Sequence, residues 1–370
     1  MKTPSFCYIF VLFLLASCTM SKPYSDHPES NSYANGFSII SNDAYTTVLA
    51  YSPWQQGEIL QKYYLVKSDS VSTPSDGLTL RIPVKRLTVT SCTHIGFLKA
   101  LGQLDAVYGI CSPEIVYNRD VFEPSDNHEV MNVGDAMTPD VERIIRTAPE
   151  AVMVSTYAQG DAATEKLRSL AIPIIYNNEW TENDPLARAE WIRFVGAFFD
   201  CLPLADSIFA EVVASYNAQK AQTEHLSSRR TIMSGNNFRG TWYMPSGNTY
   251  MGVLFRDAGA NYFYANDTSH FSIPLGIETA IHNFSDADVW VGCPAKTLAE
   301  LAQMDEKHTW FKSYKSGEVY NFMRRSTPQG GNDFWETGVV RPDYILSDLI
   351  RILYPALSKD TAFYFSEHLE

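Results

Sequence analysis

From Arg86 onward the chain alternates short apolar runs with amphipathic stretches, and it does so in two separate series. The first reads RLTVTS, THIGFLKALG, AVYGI, VMNVG, PDVERIIRTA, AVMVS, TEKLRSL and IPIIYN. The second opens at Arg230 with TIMSG. It continues through MGVLFRDAG, NYFYA, GIETAIHNF, DVWVGC, LAELAQM and EVYNF to a last helix from about Pro342 to Leu353. Apolar strands separated by helices cannot pair as hairpins, so each series predicts a parallel sheet with right-handed crossovers. Two α/β lobes follow, over 85–184 and 229–370.

Residues 185–228 between them carry no strand signal. Ile208, Val212, Val213 and Tyr216 recur at helical spacing within Leu204 to Leu226, which predicts one long backbone helix, over about 30 Å in length, joining two Rossmann-like lobes. Ahead of the lobes, residues 37–84 alternate apolar and polar positions. Breaks fall at Asn42-Asp43, Gln55-Gln56-Gly57 and Pro74 to Gly77, so an antiparallel strand extension is predicted there. At the start, Lys2 precedes an apolar run from Phe6 to Ala16, too short to span a bilayer permanently, which reads as a secretory signal over 1–17. It closes on Leu15-Ala16-Ser17-Cys18, which resembles the lipobox of bacterial lipoproteins and implies lipidation of Cys18. Residues 18–36 are polar and rich in Ser, Asn and Pro, so they are expected to act as a lipidated tether.

Composition narrows the function. A formal charge of −13 with no clustered Lys and Arg is wrong for a nucleic-acid backbone, so no nucleic acid is expected as partner. Cys92, Cys111, Cys201 and Cys293 contain no C-x-x-C pair. Export permits a Cys92–Cys111 disulfide, and buried free thiols are the other reading. His94, His128, His270 and His282 lack the mutual spacing of a zinc site, although His94, at the start of a helix, is placed either to touch a metal chelate or to cap that helix. P-loop, G-x-S-x-G, H-E-x-x-H and post-strand G-x-G-x-x-G motifs are absent, so no enzyme, resident metal or cofactor is expected, the alternative being an exported hydrolase with an unrecognised site.

An internal repeat relates the lobes. With Glu142 of PDVERIIRTAPEAVMV set beside Glu278 of LGIETAIHNFSDADVWV, Ile145 matches Ile281, Glu150 matches Asp286 and Ala151 matches Ala287. Each lobe thus presents a glutamate in the first turn of an equivalent helix, after a loop containing Pro139 or Pro274. One such acid is adequately explained by the helix dipole. Two at related places also fit docking onto a two-fold partner.

In order and spacing, RLTVTSCTHIGFLKALGQLDAVYGI, VGDAMTPDVERIIRTAPEAVMV, LRSLAIPIIY, IETAIHNFSDADVWV and NDFWETGVVRPDYILSDLIRILYP resemble the periplasmic binding proteins that serve ABC importers of ferric siderophores, haem and cobalamin. The likeness covers about Lys85 to Leu357. It implies two lobes on a backbone helix, an ABC permease and its ATPase as partners, and permease docking through Glu142 and Glu278. The strand extension is not part of the core family pattern, although lipoprotein members from Bacteroidetes-type bacteria carry a similar one. The cargo implied is a ferric siderophore-like iron chelate, with a corrinoid or haem as alternatives.

Loops at the carboxyl ends of the strands are where such sheets bind ligands. In the first lobe they offer Thr93, Ser112 to Tyr117, Gly134, Asp135 and Tyr157. In the second they offer Arg239, Trp242, Tyr243, Phe271 to Leu275, Arg324, Arg325, Phe334 and Trp335. Of these, Tyr117, Tyr157, Arg239, Trp242, Tyr243, Arg324, Arg325 and Trp335 are the candidate ligand contacts, while Phe271 and Phe334 read equally as core. The resemblance implies ligand-stacking aromatics in the loops of Tyr117 and Tyr157. A monomer, lipid-anchored on the periplasmic side of a bacterial membrane, is expected. Thr19 rather than Asp follows Cys18, which leaves both membranes of a Gram-negative cell open to the anchor.

Overall fold

A computed structural model of the chain describes residues 31–157, 160–357 and 362–370. The signal-like run, Cys18 and most of the tether lie outside the described residues. The first sheet comprises β1 (Phe37–Ser41), β2 (Thr46–Tyr51), β3 (Ile59–Val66) and β4 (Leu78–Arg81), paired in that order. β1, β2 and β3 form the antiparallel meander expected from their alternation. β4 departs from it, running parallel to β3 with Tyr63 opposite Leu78, because residues 67–77 are long enough to return the chain to the starting end of β3.

The first lobe contains β5 (Leu87–Val89), α1 (Cys92–Ala100), β6 (Val107–Ile110), β7 (Met131–Asn132), the short pair β8 (Gly134–Asp135) and β9 (Thr138–Pro139), α2 (Val141–Arg146), β10 (Ala151–Val154), α3 (Ala162–Ser169) and β11 (Ile174–Tyr176). Its sheet is parallel throughout, in the order β11-β10-β5-β6-β7. The edge strand β11 is covered rather than open: Tyr63 of β3 accepts the Tyr176 N–H at 2.9 Å.

The two helices α4 (Pro185–Phe198) and α5 (Leu202–Lys220) connect this sheet to the next. Asp184 caps α4, accepting the Leu186 N–H at 2.8 Å. All of α4 except Arg193 is buried. Its Trp191 meets Phe37 at 5.0 Å and its Phe198 meets Tyr63 at 5.1 Å, so the strand extension sits on this helix. The helices approach closely where a Cβ on Gly196 would lie 2.8 Å from that of Ala205. The sequence treats Leu204 to Leu226 as one helix. In the structure α5 spans 19 residues, about 28 Å, and tightens to a 3-10 turn at Ala221–Thr223. Pro203 falls in its first turn, where a missing N–H costs nothing. From α5, Tyr216 Oη donates to Asp257 at 3.0 Å and Glu211 pairs with Arg341 at 3.1 Å, both in the second lobe.

That lobe contains β12 (Thr231–Ser234), β13 (Asn237–Phe238), β14 (Thr241–Met244), α6 (Tyr250–Asp257), β15 (Asn261–Tyr262), β16 (Ile273–Leu275), α7 (Ile277–Phe284), β17 (Val289–Val291), α8 (Leu298–Met304), α9 (Lys312–Ser316), β18 (Val319–Asn321), α10 (Thr337–Val340), α11 (Pro342–Leu353) and β19 (Glu367–His368). The main sheet runs β15-β12-β17-β18-β19, with β19 alone antiparallel to its neighbour. A separate antiparallel flap, β13-β14-β16, stands at one end. Its hairpin turns at Arg239 and Gly240 with φ of 53° and 89°, the left-handed pair that a two-residue hairpin turn demands.

Residues 31–36 correct the tether reading, since they are docked on the bridge. Glu190 of α4 accepts the N–H groups of Ser32, Tyr33 and Ala34 at 2.8–2.9 Å. Glu182 accepts those of Asn35 and Gly36 at 2.9 and 2.8 Å, together with Trp191 Nε1 at 3.1 Å. Both carboxylates are buried, and burial raises the pKa of Glu182. Replacing Glu190 by Ala strands three main-chain donors, and the expected loss is about 2–3 kcal/mol in a urea denaturation, with proteolytic cutting appearing between residues 31 and 36. Unchanged stability would mean that this segment is not held by the bridge.

Candidate ligand-binding cleft

The carboxyl ends of the first lobe's strands converge on a cavity of about 250 Å³. The segment after β5 contributes Thr90 and Ser91 with Cys92 and Thr93 of α1, that after β6 Cys111 and Ile115, that after β10 Tyr157, and that after β11 Glu179 and Trp180. Arg188 enters from α4, and Trp335 of the second lobe forms the opposite wall. The rings of Tyr157 and Trp180 lie 5.3 Å apart, and Tyr157 and Trp335 are each 47% exposed, so flat aromatic area faces the opening. On the floor, Arg188 Nη2 stands 3.2 Å from Glu179 Oε1, with both side chains buried.

Cys92 and Cys111 border the same cavity as free thiols, and burial pushes the pKa of each up to about 12. The disulfide reading is therefore not realised. His94 lies beneath the cavity in the core, Nε2 3.1 Å from Ser155 Oγ. Burial lowers its pKa to about 3, so the ring is neutral. It caps nothing: Ser91 accepts the Thr93 N–H at the start of α1.

Trp335 is held by its neighbours. Phe334 is core, stacked on Phe322 at 4.8 Å and edge-on to Trp335 at 4.8 Å. Arg325 pairs with Asp333 at 2.6 Å and lies over the rings of Tyr117, at 5.3 Å, and Tyr364, at 4.7 Å. The buried Glu336 accepts the N–H groups of Tyr117 and, at 3.0 Å, Asn118. Glu336 also meets α1 backbone to backbone, since a Cβ on Gly96 would sit 2.2 Å from its carbonyl oxygen. Tyr117 and Arg325 are thus brought together, but at a joint between the lobes and not in the wall of this cavity.

Trp242 is a correction. Alternation along β14 sends Tyr243 outward, 51% exposed, and Trp242 inward, where it is fully buried. Its Nε1 donates to Ser234 O at 2.7 Å, and its ring packs on Trp290 and Phe311, both at 5.4 Å. It is core and offers a ligand nothing. Arg239, Tyr243 and Phe271 are exposed on or beside the flap, and Arg324 is exposed beyond β18; none lines the cavity. Glu179, Trp180 and Arg188 were missed. The rule of strand carboxyl ends, applied to IPIIY as to the other strands, points to residues 177–180, whereas nothing in the sequence pairs Glu179 with Arg188.

A family model for periplasmic binding proteins matches residues 88–323. The chain belongs to the periplasmic binding protein family. That family supplies solute-binding subunits, not enzymes, to ABC importers of iron chelates, haem and cobalamin. An uncharacterised lipoprotein of Methanocaldococcus jannaschii is 26% identical over 303 residues, which are 79% of this chain and 70% of the relative. The haem-binding protein RhuT of Roseiflexus superposes with a TM-score of 0.57 at 17% identity, over 74% of this chain and all of the other. A periplasmic haem-binding protein of Pseudomonas aeruginosa gives 0.59 at 13%, over 78% and 98%. These likenesses establish the fold.

In this binding protein Glu142 and Glu278 occupy the first turns of α2 and α7, both exposed, the Glu278 side chain at 83%, with Lys307 Nζ 3.7 Å from the latter. The repeat is structural, although its core pair is Ile144 and Ala280, two residues after each glutamate. Ile145 is an exposed position.

Burial raises the pKa of Glu336 to about 7, against the two N–H groups that favour its charged form. The folded chain therefore keeps a proton that the unfolded chain releases above about 4.5, so the stability linked to this group declines as pH rises from about 4.5 to 7 and then levels. The expected decline is up to about 3 kcal/mol. In Glu336→Gln this portion of the urea-midpoint profile should flatten; an identical profile would place the titration elsewhere.

Proposed function

We propose that the chain captures a ferric siderophore-like chelate between its lobes and delivers it to an ABC permease in the membrane. The observation that carries this reading is the aromatic cavity at the carboxyl ends of one sheet, closed by Trp335 from the other lobe. Reversible capture needs a ligand buried from both sides without covalent chemistry, and flat rings flanking an opening supply apolar area to a bulky chelate. The cavity admits one edge of such a molecule, while the exposed Arg239, Tyr243, Phe271 and Arg324 remain available to the part that stands outside.

Docking is assigned to Glu142 and Glu278. In a parallel crossover the helix start lies on the side of the strand carboxyl ends, so both glutamates stand on the same rim as the ligand. Lipidation of Cys18 anchors the monomeric binder to the membrane, and the docking of residues 32–36 on Glu190 of α4 and on Glu182 shortens its leash to the residues before them.

Tryptophan fluorescence of the purified chain is the test, titrated with a ferric chelate, haem and cobalamin. Saturable quenching by the iron chelate, weakened at least tenfold in Trp335→Ala, is expected; saturation by haem or cobalamin alone would reassign the cargo, and none by any would overturn the reading. For docking, Glu142→Arg combined with Glu278→Arg should abolish uptake in cells while leaving chelate affinity within twofold. Normal uptake would sink that assignment.

A further inference from the structure

The strand extension does more than cover the edge of the first lobe's sheet. With the loop after β11 and with α6 of the second lobe it bounds a groove of about 1120 Å³, which shares no lining residue with the interlobe cavity. One wall comes from within residues 35–57, ahead of the stretch 88–323 that the family model matches. On that wall stands Trp54, in the turn between β2 and β3, 38% exposed and outside the hydrophobic core. The turn is fixed: Ser52 Oγ accepts the N–H groups of Trp54 and Gln55 at 3.3 and 3.2 Å, and the Ser52 N–H donates to Glu58 O at 2.8 Å. Ser52 and Trp54 also border a second hollow of about 290 Å³, which continues past Ile59 of β3 to α3. An indole that supports no core, held between two hollows, offers its face to a molecule lying along the surface.

The lining of the larger groove narrows what that molecule is. Its charged side chains are committed within the fold: Glu182 to the N–H groups of Asn35 and Gly36, Asp184 to the start of α4, and Arg256 to Asp257 at 3.2 Å. An anionic ligand meets no unpaired cation there among the described residues. Amides remain. Asn183 and Asn248 each spend a nitrogen on His270, at 2.6 and 3.1 Å, and their oxygens, with both ends of Gln56, have no hydrogen-bond partner among the described residues. An amide side chain carries acceptor and donor together, and so complements hydroxyl groups, which also do both. An apolar C–H face for the indole and a rim of hydroxyls for the amides are together the surface of a pyranose ring. An extended peptide matches less well, since it draws its main-chain bonds from a free strand edge. The one strand residue of the lining, Tyr51, belongs to β2, which is paired on both sides.

We propose that this groove is a second binding site, which takes a neutral oligosaccharide with one sugar ring stacked on Trp54 and hydroxyls along the chain held by Gln56, Asn183 and Asn248. It is separate from the chelate-capture cavity, and either site can fail without the other.

Calorimetric titration of the full chain tests it, with maltohexaose, cellohexaose and mannohexaose as neutral probes, hexagalacturonate as an anionic one and an uncharged hexapeptide. At least one neutral hexasaccharide should saturate with a Kd below about 1 mM, at least tenfold more tightly than the acid or the peptide. Trp54→Ala should weaken that binding at least tenfold at an unchanged thermal midpoint; should it fail to fold, Asn248→Ala carries the same expectation. An excess of haem or a ferric chelate should leave the sugar affinity within twofold. Saturation by none of the three sugars, tighter binding of hexagalacturonate or the peptide, unaltered affinity in the folded variant, or competition by the chelate or haem overturns the inference while sparing the transport reading.

Discussion

The structure depends on a helix buried on nearly every side. α4 touches the strand extension, the loop after β11 and the second lobe, and each of its contacts sets something else in place. Glu190 pins residues 32–34, Trp191 receives Phe37, and Arg188 reaches both Glu179 and, at 5.1 Å, the ring of Tyr250 in α6. A helix so enclosed cannot bend without exposing apolar surface on three fronts at once. Lobe movement is therefore expected to be modest, and the cleft floor is as rigid as the helix that supplies it.

The joint on the far side of the cleft is of another kind. Glu336 holds two N–H groups of the first lobe, and Arg325 lies on Tyr117 while paired with Asp333. These contacts are polar, and burial raises the pKa of the carboxyl group at their centre to about 7. The molecule thus combines an apolar keel with a polar latch, and the candidate cavity lies between them. Glu142 and Glu278 stand apart from both, on helix starts, so the docking proposed for them uses groups other than those that line the cavity.

Much of this was legible in the sequence because it follows from periodicity. Parallel strands were read from runs such as AVMV and VWV, and Glu142 and Glu278 from a repeat whose spacing is fixed by the helix. What failed is what periodicity leaves open. Trp242 sits in a Gly- and Pro-containing segment that reads as a loop, yet it belongs to a strand whose alternation turns it into the core. Residues 31–36 are polar and read as tether because their partners, Glu182 and Glu190, lie some 150 positions away. The sequence offers Arg325 as a ligand contact, but Asp333 claims its charge eight residues later. Tertiary pairing of polar groups is invisible to a pattern of apolar ones.

Hydrogen exchange with and without a saturating metal chelate tests most directly whether cargo sits between the lobes. The account predicts that amides of residues 90–94, 177–181 and 332–336 slow together on binding, since they come from both lobes and frame one cavity. Protection confined to one lobe, or falling only on the flap around Arg239 and Tyr243, would contradict it.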